Sequence, residues 1–369
     1  MAAHFFPLAV KDIRRETKDC VSIAFDVPPE LRESFAYRAG QYVNLRATVD
    51  GDSLRRSYSL CSAPDSGEWR VAVKRVTGGR FSQFANTKLK VGDIIDVMPP
   101  DGKFCYSPER DKKRHVLAIA AGSGITPILS IATTLLTREP ESSITLLYGN
   151  RRVRDIIFKE QIEDLRDRFL SRFQVVHVLS QEPMESPISM GRIDQEKIIS
   201  IVKENRLFPQ FDQAYVCGPE AMLEGALTAL ALCGMDKERV HFERFAANVD
   251  VTKRAAGSTT GALSGPSTAG TDALKPRARM TVIADGIERT VNIGYEGETV
   301  LDVALDVGID APYACRAGVC CTCRAQVLEG EVSMDANYTL EEHEVKRGFV
   351  LTCQSHPVTP FVKISYDAR

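Results

Sequence analysis

Several features are missing from this chain, and each absence excludes something. No stretch approaches the ~20 consecutive apolar residues that a membrane-spanning helix needs, so a membrane protein is not expected. The start, Met1-Ala-Ala-His-Phe-Phe-Pro, lacks a basic segment followed by an apolar run, so no secretory signal is expected either. Aromatic residues make up 7%, with one tryptophan, and no Lys/Arg run carries interleaved aromatics, which argues against nucleic-acid binding. No internal repeat is present. There is almost no net charge, −2 in all, but the balance is uneven. Residues 280–369 hold 14 acidic and 7 basic residues, net −7, which leaves the remainder at +5. An acidic C-terminal part on a mildly basic body suggests electrostatic docking to a partner.

What the chain does have is cysteine, ten in all. Without a secretory signal, ten thiols point to a reducing cytoplasm, where they stay free or bind metal. Four of them have a distinctive spacing. Cys315, Cys320 and Cys323 form C-x4-C-x2-C, and Cys353 follows after 29 residues. That is the plant-type pattern for a [2Fe–2S] cluster held by four thiolates. Ala317 and Gly318 inside the loop let the backbone approach the sulfides. A four-cysteine zinc site usually comes as two C-x2-C pairs, and only one is present. Cys321 falls between two of the four and is read as a non-ligand.

At 369 residues the chain should hold about two to four domains, each with its own core. Residues 1–110 read as six short strands, Phe5–Val10, Val21–Phe25, Tyr42–Ala47, Arg56–Leu60, Trp69–Val76 and Ile94–Met98. Turn signals at Gly40, Gly51, Gly67, Gly78-Gly79 and Gly92-Asp93 separate them, which predicts a small antiparallel β-barrel. Residues 111–246 alternate strand and helix and predict an α/β domain with a parallel sheet. Its strands are expected at Val116–Ala121, Ile144–Tyr148, Phe173–Leu179, Ala214–Cys217 and Val240–Phe242. Residues 247–278 are rich in Gly, Ser and Thr, without periodicity. They read as a flexible linker whose r.m.s. span would be about 30 Å. Residues 279–369 return to strands, with a hairpin around Asp285-Gly286, helices at Thr299–Val307 and near Leu340–Lys346, and the cysteine loop between them.

The motifs resemble those of a known superfamily. Arg56-Ser57-Tyr58-Ser59, then Val73-Lys74, Gly78-Gly79-Arg80-Phe81-Ser82 and Pro99-Pro100-Asp101-Gly102-Lys103-Phe104 are similar in order and spacing to the flavin domain of the ferredoxin–NADP reductases. The resemblance implies that Arg56 pairs with the flavin pyrophosphate, Tyr58 packs on the isoalloxazine and Ser59 stands near N5. Ser57, Val73, Lys74, Gly79, Arg80, Phe81 and Ser82 would complete the flavin site, FAD being favoured over FMN. A short helix, Phe81–Asn86, would offer its N-terminus to phosphate.

In the second domain, Gly122-Ser123-Gly124-Ile125-Thr126-Pro127 follows the first strand, Cys217-Gly218-Pro219 follows the fourth, and Glu243-Arg244-Phe245 closes the domain. Together they resemble the pyridine-nucleotide half of the same superfamily. The resemblance puts Gly122, Gly124, Gly218, Pro219 and Phe245 around the nucleotide, with Thr126 and Cys217 nearest the nicotinamide. Arg151 and Arg152 end the second strand, where arginine suits the 2′-phosphate of NADPH and an acid would suit NADH. NADPH is therefore favoured, with NADH as the alternative.

The order flavin, nucleotide, cluster resembles the reductase components of bacterial multicomponent oxygenases, with a β-grasp ferredoxin as the α+β third module. Such a chain would pass electrons from NAD(P)H through flavin to [2Fe–2S] and on to an oxygenase component, di-iron in the nearest case. A ring-hydroxylating or steroid oxygenase is the alternative acceptor. A redox sensor would need an output domain, for which no residues remain.

Overall fold

The computed structural model describes residues 4–184, 186–204, 210–245 and 276–368. They fall into two compact units, one within residues 5–248 and the other within 249–369. The expected linker, 247–278, lies outside the described residues except for its last three.

The first unit begins with the six expected strands: β1 Phe6–Thr17, β2 Cys20–Asp26, β3 Tyr42–Val49, β4 Asp52–Ser59, β5 Trp69–Lys74 and β6 Ile94–Val97. They form one antiparallel sheet in the order β4-β3-β6-β1-β2-β5. A bridge between Leu60 and Val71 links the two edges, and the Cys61 N–H donates to the Arg70 carbonyl at 2.8 Å, which closes the barrel. Alternation along the strands fills its interior with Leu8, Val10, Ile23, Val43, Leu45 and Val73. The β3–β4 hairpin turns on Asp50-Gly51, both with positive φ, the backbone of a two-residue turn that Asp-Gly favours. Helix α1, Arg80–Thr87, follows β5.

Strands β7 His115–Ala121, β8 Ser143–Asn150, β9 Phe173–Leu179, β10 Gln213–Cys217 and β11 Val240–Glu243 then alternate with helices α2 Ile125–Arg138, α3 Lys159–Arg168, α4 Gln195–Ile199 and α5 Glu220–Leu232. All five strands run parallel in the order β11-β10-β7-β8-β9. The central strand β7 is covered on both faces, which explains its unbroken run of apolar residues. Helix α3 begins at Lys159, after residues 153–155 form a separate 3-10 turn. Helix α4 passes into a π-helical turn at Ser200.

The barrel and the α/β domain each have a core, and a third cluster is shared between them. Cys20, Ala39, Cys61, Ala72, Phe104 and Tyr106 leave the barrel core and join Val116, Ile128, Leu135 and Tyr148 in this continuous cluster. Flavin and nucleotide modules are thus packed as one body.

The second unit holds β12 Arg277–Ala284, β13 Ile287–Gly294, α6 Val300–Asp306, β14 Arg324–Glu329, β15 Val332–Met334, α7 Glu342–Lys346, β16 Phe349–Leu351, β17 Ser355–Pro357 and β18 Phe361–Ser365. The mixed sheet β13-β12-β18-β14-β16 wraps α6, in β-grasp fashion, while β15 and β17 pair separately. Asp285-Gly286 makes the expected turn, again with both φ angles positive. Thr299 and Asp302 form a reciprocal capping box at the start of α6.

Candidate functional site

Three pieces of the first unit converge where the parallel sheet changes direction. Strand β7 lies at the centre; the chain adds β8 and β9 on one side and β10 and β11 on the other. A crevice opens outside the carboxyl ends of the strands at such a point. The turns after β7 and β10 meet there. A Cβ on Gly124 would stand 2.0 Å from the Cys217 carbonyl oxygen, and one on Gly218 would stand 2.4 Å from Met222 Cε. Gly124 is required by contact between the turns, whereas at Gly218 the flexible end of Met222 could give way. Pro127 falls in the first turn of α2, where a missing N–H costs no helical bond.

Ser59 ends β4 at this crevice. Its hydroxyl donates to Glu243 Oε2 at 3.0 Å, a bond across 184 residues of sequence. Glu243 ends β11 and is in register with Cys217 on β10. Burial pushes the Glu243 carboxyl up to about 8, against the bond from Ser59, which lowers it. Burial also drives the Cys217 thiol far above its ordinary value, with Glu243 adding to the effect, so Cys217 is no thiolate. Ser59, Cys217 and Glu243 therefore form one cluster, and Glu243 is the member that motif reading does not single out. Its signal is present in Glu243-Arg244-Phe245, where the motif by itself marks only the close of the domain. Thr126 is 2% exposed and its hydroxyl donates to the Ser123 carbonyl at 3.0 Å, so it shapes the turn. Tyr148 donates to the Gly122 carbonyl at 3.1 Å and holds the other end of that turn. Pro219 caps α5, and Phe245 packs on the shared core.

On the barrel side, Tyr58 lies against Phe81, ring centroids 5.7 Å apart, and burial keeps its hydroxyl protonated. Arg56, on the same strand face, is exposed, and its guanidinium donates to the Arg55 carbonyl. Ser57 donates to Asn44 Oδ1 at 2.7 Å. Gly79 starts α1 and supplies no side-chain cap, so N–H groups of the first turn remain open to an anion. The Ser82 hydroxyl accepts from the Val76 N–H and donates to the Gly79 carbonyl, fixing that turn. Arg80 is engaged by Asp52 and by the Val49 carbonyl. The Val73 side chain lies wholly in the barrel core, so only its backbone could serve a ligand. Lys74 Nζ is 3.2 Å from where a Gly122 Cβ would be, so this ammonium adjoins the nucleotide turn.

Beyond β8, Arg152, Val153, Arg154, Lys159 and Glu182 line a surface pocket of about 430 Å³. Glu182 accepts from the Val153 N–H at 2.8 Å and so shapes the rim. Of the two arginines expected here, Arg152 lines the pocket and Arg151 does not. Arg154 and Lys159 are additions that no motif marks; they reach it because the chain turns at 153–155 before α3.

In the second unit the cysteine loop is bent by positive φ at Arg316, Gly318 and Cys321. A Cβ on Gly318 would stand 3.0 Å from the Ala336 carbonyl. Gln354 Nε2 donates to the Arg316 carbonyl at 3.1 Å, and Arg316 pairs with Asp302 at 2.9 Å. The four thiols fall into two hydrogen-bonded pairs, Cys315 with Cys320 and Cys323 with Cys353. Two such pairs suit the two irons of a [2Fe–2S] group. The hydrogen bond from Cys320 holds Cys315 down at about 7, against burial. Backbone N–H groups of Ala317 and Val319 aim at Cys315, and that of Gly318 at Cys353, the donors a cluster's sulfurs require. Cys321 turns away and meets Thr339 Oγ1 at 2.8 Å. The residues present therefore fit a [2Fe–2S] group. Among the acids of 329–344, Glu344 is buried, caps Glu341 and pairs with Arg324, so it belongs to the fold rather than to a docking face.

Comparison with known proteins assigns each module. Residues 7–106 match the model of the oxidoreductase FAD-binding domain, 118–228 that of the oxidoreductase NAD-binding domain and 282–358 that of the 2Fe-2S iron-sulfur cluster binding domain. The chain is 41% identical to one of the subunits of the 1,2-phenylacetyl-CoA epoxidase of Escherichia coli K12, across 99% of this chain and 98% of that protein. It is 33% identical to the 3-ketosteroid-9-alpha-monooxygenase ferredoxin reductase component of Rhodococcus rhodochrous, across 97% and 96%. In fold it matches phthalate dioxygenase reductase, with a TM-score of 0.53 and 21% identity over 98% of both chains.

Proposed function

The chain belongs to the family of three-module oxygenase reductases, which join an FAD, an NAD and a [2Fe–2S] domain, and on that premise we propose that it serves a di-iron oxygenase acting on phenylacetyl-CoA. The level of identity to the Escherichia coli epoxidase component over nearly all of both chains supports this acceptor. The steroid-oxygenase reductase at 33% is the second reading, and it differs in the acceptor alone. No helix among the described residues is long and apolar enough to cross a membrane. A cytoplasmic location is part of the proposal, supported by ten cysteines of which none forms a disulfide.

The Ser59–Glu243 bond at the switch point carries the mechanistic reading. When bound, the cofactors supply a hydride donor, a two-to-one-electron converter and a one-electron relay. The protein's own residues do the rest. Arg56 and the first turn of α1 bind the flavin pyrophosphate. Tyr58 and Phe81 wall the ring system and exclude water. Glu243, neutral below about pH 8, and Ser59 place a hydrogen-bonding pair where flavin and nicotinamide meet. Cys217 fills the floor as an apolar thiol. Arg152, Arg154 and Lys159 receive the adenosine 2′-phosphate, so NADPH is preferred. Cys315, Cys320, Cys323 and Cys353 hold the cluster, and Glu329, Glu331, Asp335, Glu341 and Glu342 present acids to the oxygenase. The modules are drawn as 1–110, 111–246 and 279–369, joined by 247–278.

The test is stopped-flow absorbance of the holoprotein with NADPH and with NADH, followed by electron delivery to purified phenylacetyl-CoA epoxidase and to a steroid oxygenase. Flavin then cluster should bleach, faster with NADPH, and delivery should favour the epoxidase. Delivery to the steroid oxygenase alone would transfer the assignment to the second reading.

A further inference from the structure

We propose that helix α2 is a strut that sets the spacing between the flavin and nicotinamide turns, and that the buried carboxylate of Glu139 is the positioning residue that locks it. Helix α2 leaves the Gly122–Gly124 turn and runs for 14 residues, about 21 Å, to Glu139. Glu139 is fully buried at the helix C-terminus, where the macrodipole disfavours negative charge and burial adds to the cost. Five donors offset this. Tyr106 Oη donates at 2.7 Å, the Glu109 N–H at 2.9 Å, Ser142 Oγ at 2.6 Å and Arg114 Nε at 3.2 Å, with Arg114 Nη2 closer still. Burial raises the carboxyl, and the bonds from Arg114, Ser142, Glu109 and Tyr106 outweigh it, so the group stays ionised.

The donors do not belong to one element. Tyr106 is bridged to Ala39 on the barrel side, Glu109 and Arg114 lie in the connector between the modules, and Ser142 precedes β8. One carboxylate thus ties the flavin module, the connector and the end of α2 together. Two further contacts dock the helix on the barrel. Buried Ser130 donates to the Ser62 carbonyl at 2.6 Å, three residues beyond Ser59, and Arg138 pairs with Asp65. Capping alone does not call for Glu139, because Arg172 already donates to the carbonyls of Leu136, Glu139 and Ser142. The rival account is that the knot merely stabilises the fold.

The experiment compares the full-length holoprotein with Glu139→Gln, Tyr106→Phe and Arg172→Gln. It measures bound flavin, Tm, hydrogen–deuterium exchange of residues 122–130 without nucleotide, and the limiting rate of flavin reduction by NADPH. The rate arm rests on the hydride-transfer reading above. The exchange arm does not, so it judges the strut even if NADPH proves not to be the donor. Expected for Glu139→Gln are full flavin content, faster exchange at 122–130 and a limiting rate lower by about tenfold, because small misplacement of reacting groups is costly. Tyr106→Phe should show the same changes to a smaller degree. Arg172→Gln should lower Tm and leave the rate unchanged. Wild-type exchange and rate in Glu139→Gln would overturn the proposal, as would rates that track Tm across all three variants. Should Glu139→Gln fail to fold, Tyr106→Phe decides, and wild-type exchange and rate in that variant would overturn it.

Discussion

The two redox sites of this protein are built in opposite ways. The cluster site is a local object: three cysteines fall within nine residues, and only Cys353 comes from elsewhere. Its shape is set by left-handed backbone at three positions, by bonds reaching in from Gln354 and Asp302, and by the close approach of the Ala336 carbonyl to Gly318. The proposed hydride site is a long-range object. Ser59 arrives from the barrel, Cys217 and Glu243 from two neighbouring strands, and Gly124 from a fourth segment pressed against the Cys217 carbonyl. A local site depends on the chemistry of its own loop. A long-range site depends on how well the whole body is held together, which is where the shared core and the Glu139 knot enter.

That contrast can be broken at its strongest point first. Cys320→Ser removes a thiolate from one of the two sulfur pairs and should abolish the [2Fe–2S] signal, while flavin content and flavin reduction stay normal. Cys321→Ser should keep the cluster. Visible absorbance, electron paramagnetic resonance and iron content decide, and retention in the first with loss in the second would reverse the ligand assignment.

Next in size is Arg56→Ala. The flavin pyrophosphate loses a charge-assisted bond of roughly 1.5–3 kcal/mol, so FAD affinity should weaken by about tenfold or more, read by flavin release on gel filtration. The cluster signal should be unaffected. Undiminished FAD affinity would remove the pyrophosphate role.

A smaller effect separates the adenosine end of the nucleotide from its reactive end. Arg152→Ala with Arg154→Ala should raise KM for NADPH and leave that for NADH nearly unchanged, because only the 2′-phosphate is lost to the pocket. Equal changes for both nucleotides would place that phosphate elsewhere.

The smallest effect is on stability and follows from Glu243. Its carboxyl is raised to about 8 in the folded chain, while the unfolded chain loses that proton in the ordinary carboxylate range. The folded state then binds more protons in between, so this group makes stability fall as pH rises from about 5 to about 8 and level off above. Glu243→Gln cannot titrate. Its Tm advantage over the wild type should therefore grow through that window, and a difference independent of pH would show that the carboxyl is not raised.

Much of this was legible in the residues. The cysteine spacing pointed to a 2Fe-2S module, which the domain match bears out, because a loop of this kind is written as a run of sequence. The turn glycines and the β-rich strands gave the barrel and the Asp285-Gly286 hairpin, since local backbone preferences survive in any context, while the grasp came from the family resemblance. The apolar run Val116–Ala121 announced the strand β7, and the Gly122–Gly124 turn after it was legible only through the family resemblance.

Other features were decided only when the chain closed on itself. That Glu243 meets Ser59 depends on β11 lying beside β10 at the edge of the sheet, a neighbourhood no local pattern records. That Arg154 and Lys159 join Arg152 depends on the 3-10 turn at 153–155 that precedes α3. That Glu344 is buried among its own partners, and Glu139 buried where three segments cross, could not be read from acidic residues that look alike in sequence. The sequence by itself determined the kinds of module, their order and the cysteine pattern proposed to hold the cluster, because those rest on spacing and period. The tertiary structure alone decided which charges are buried and which distant side chains share a site, because burial and contact belong to the packed body and not to any one segment.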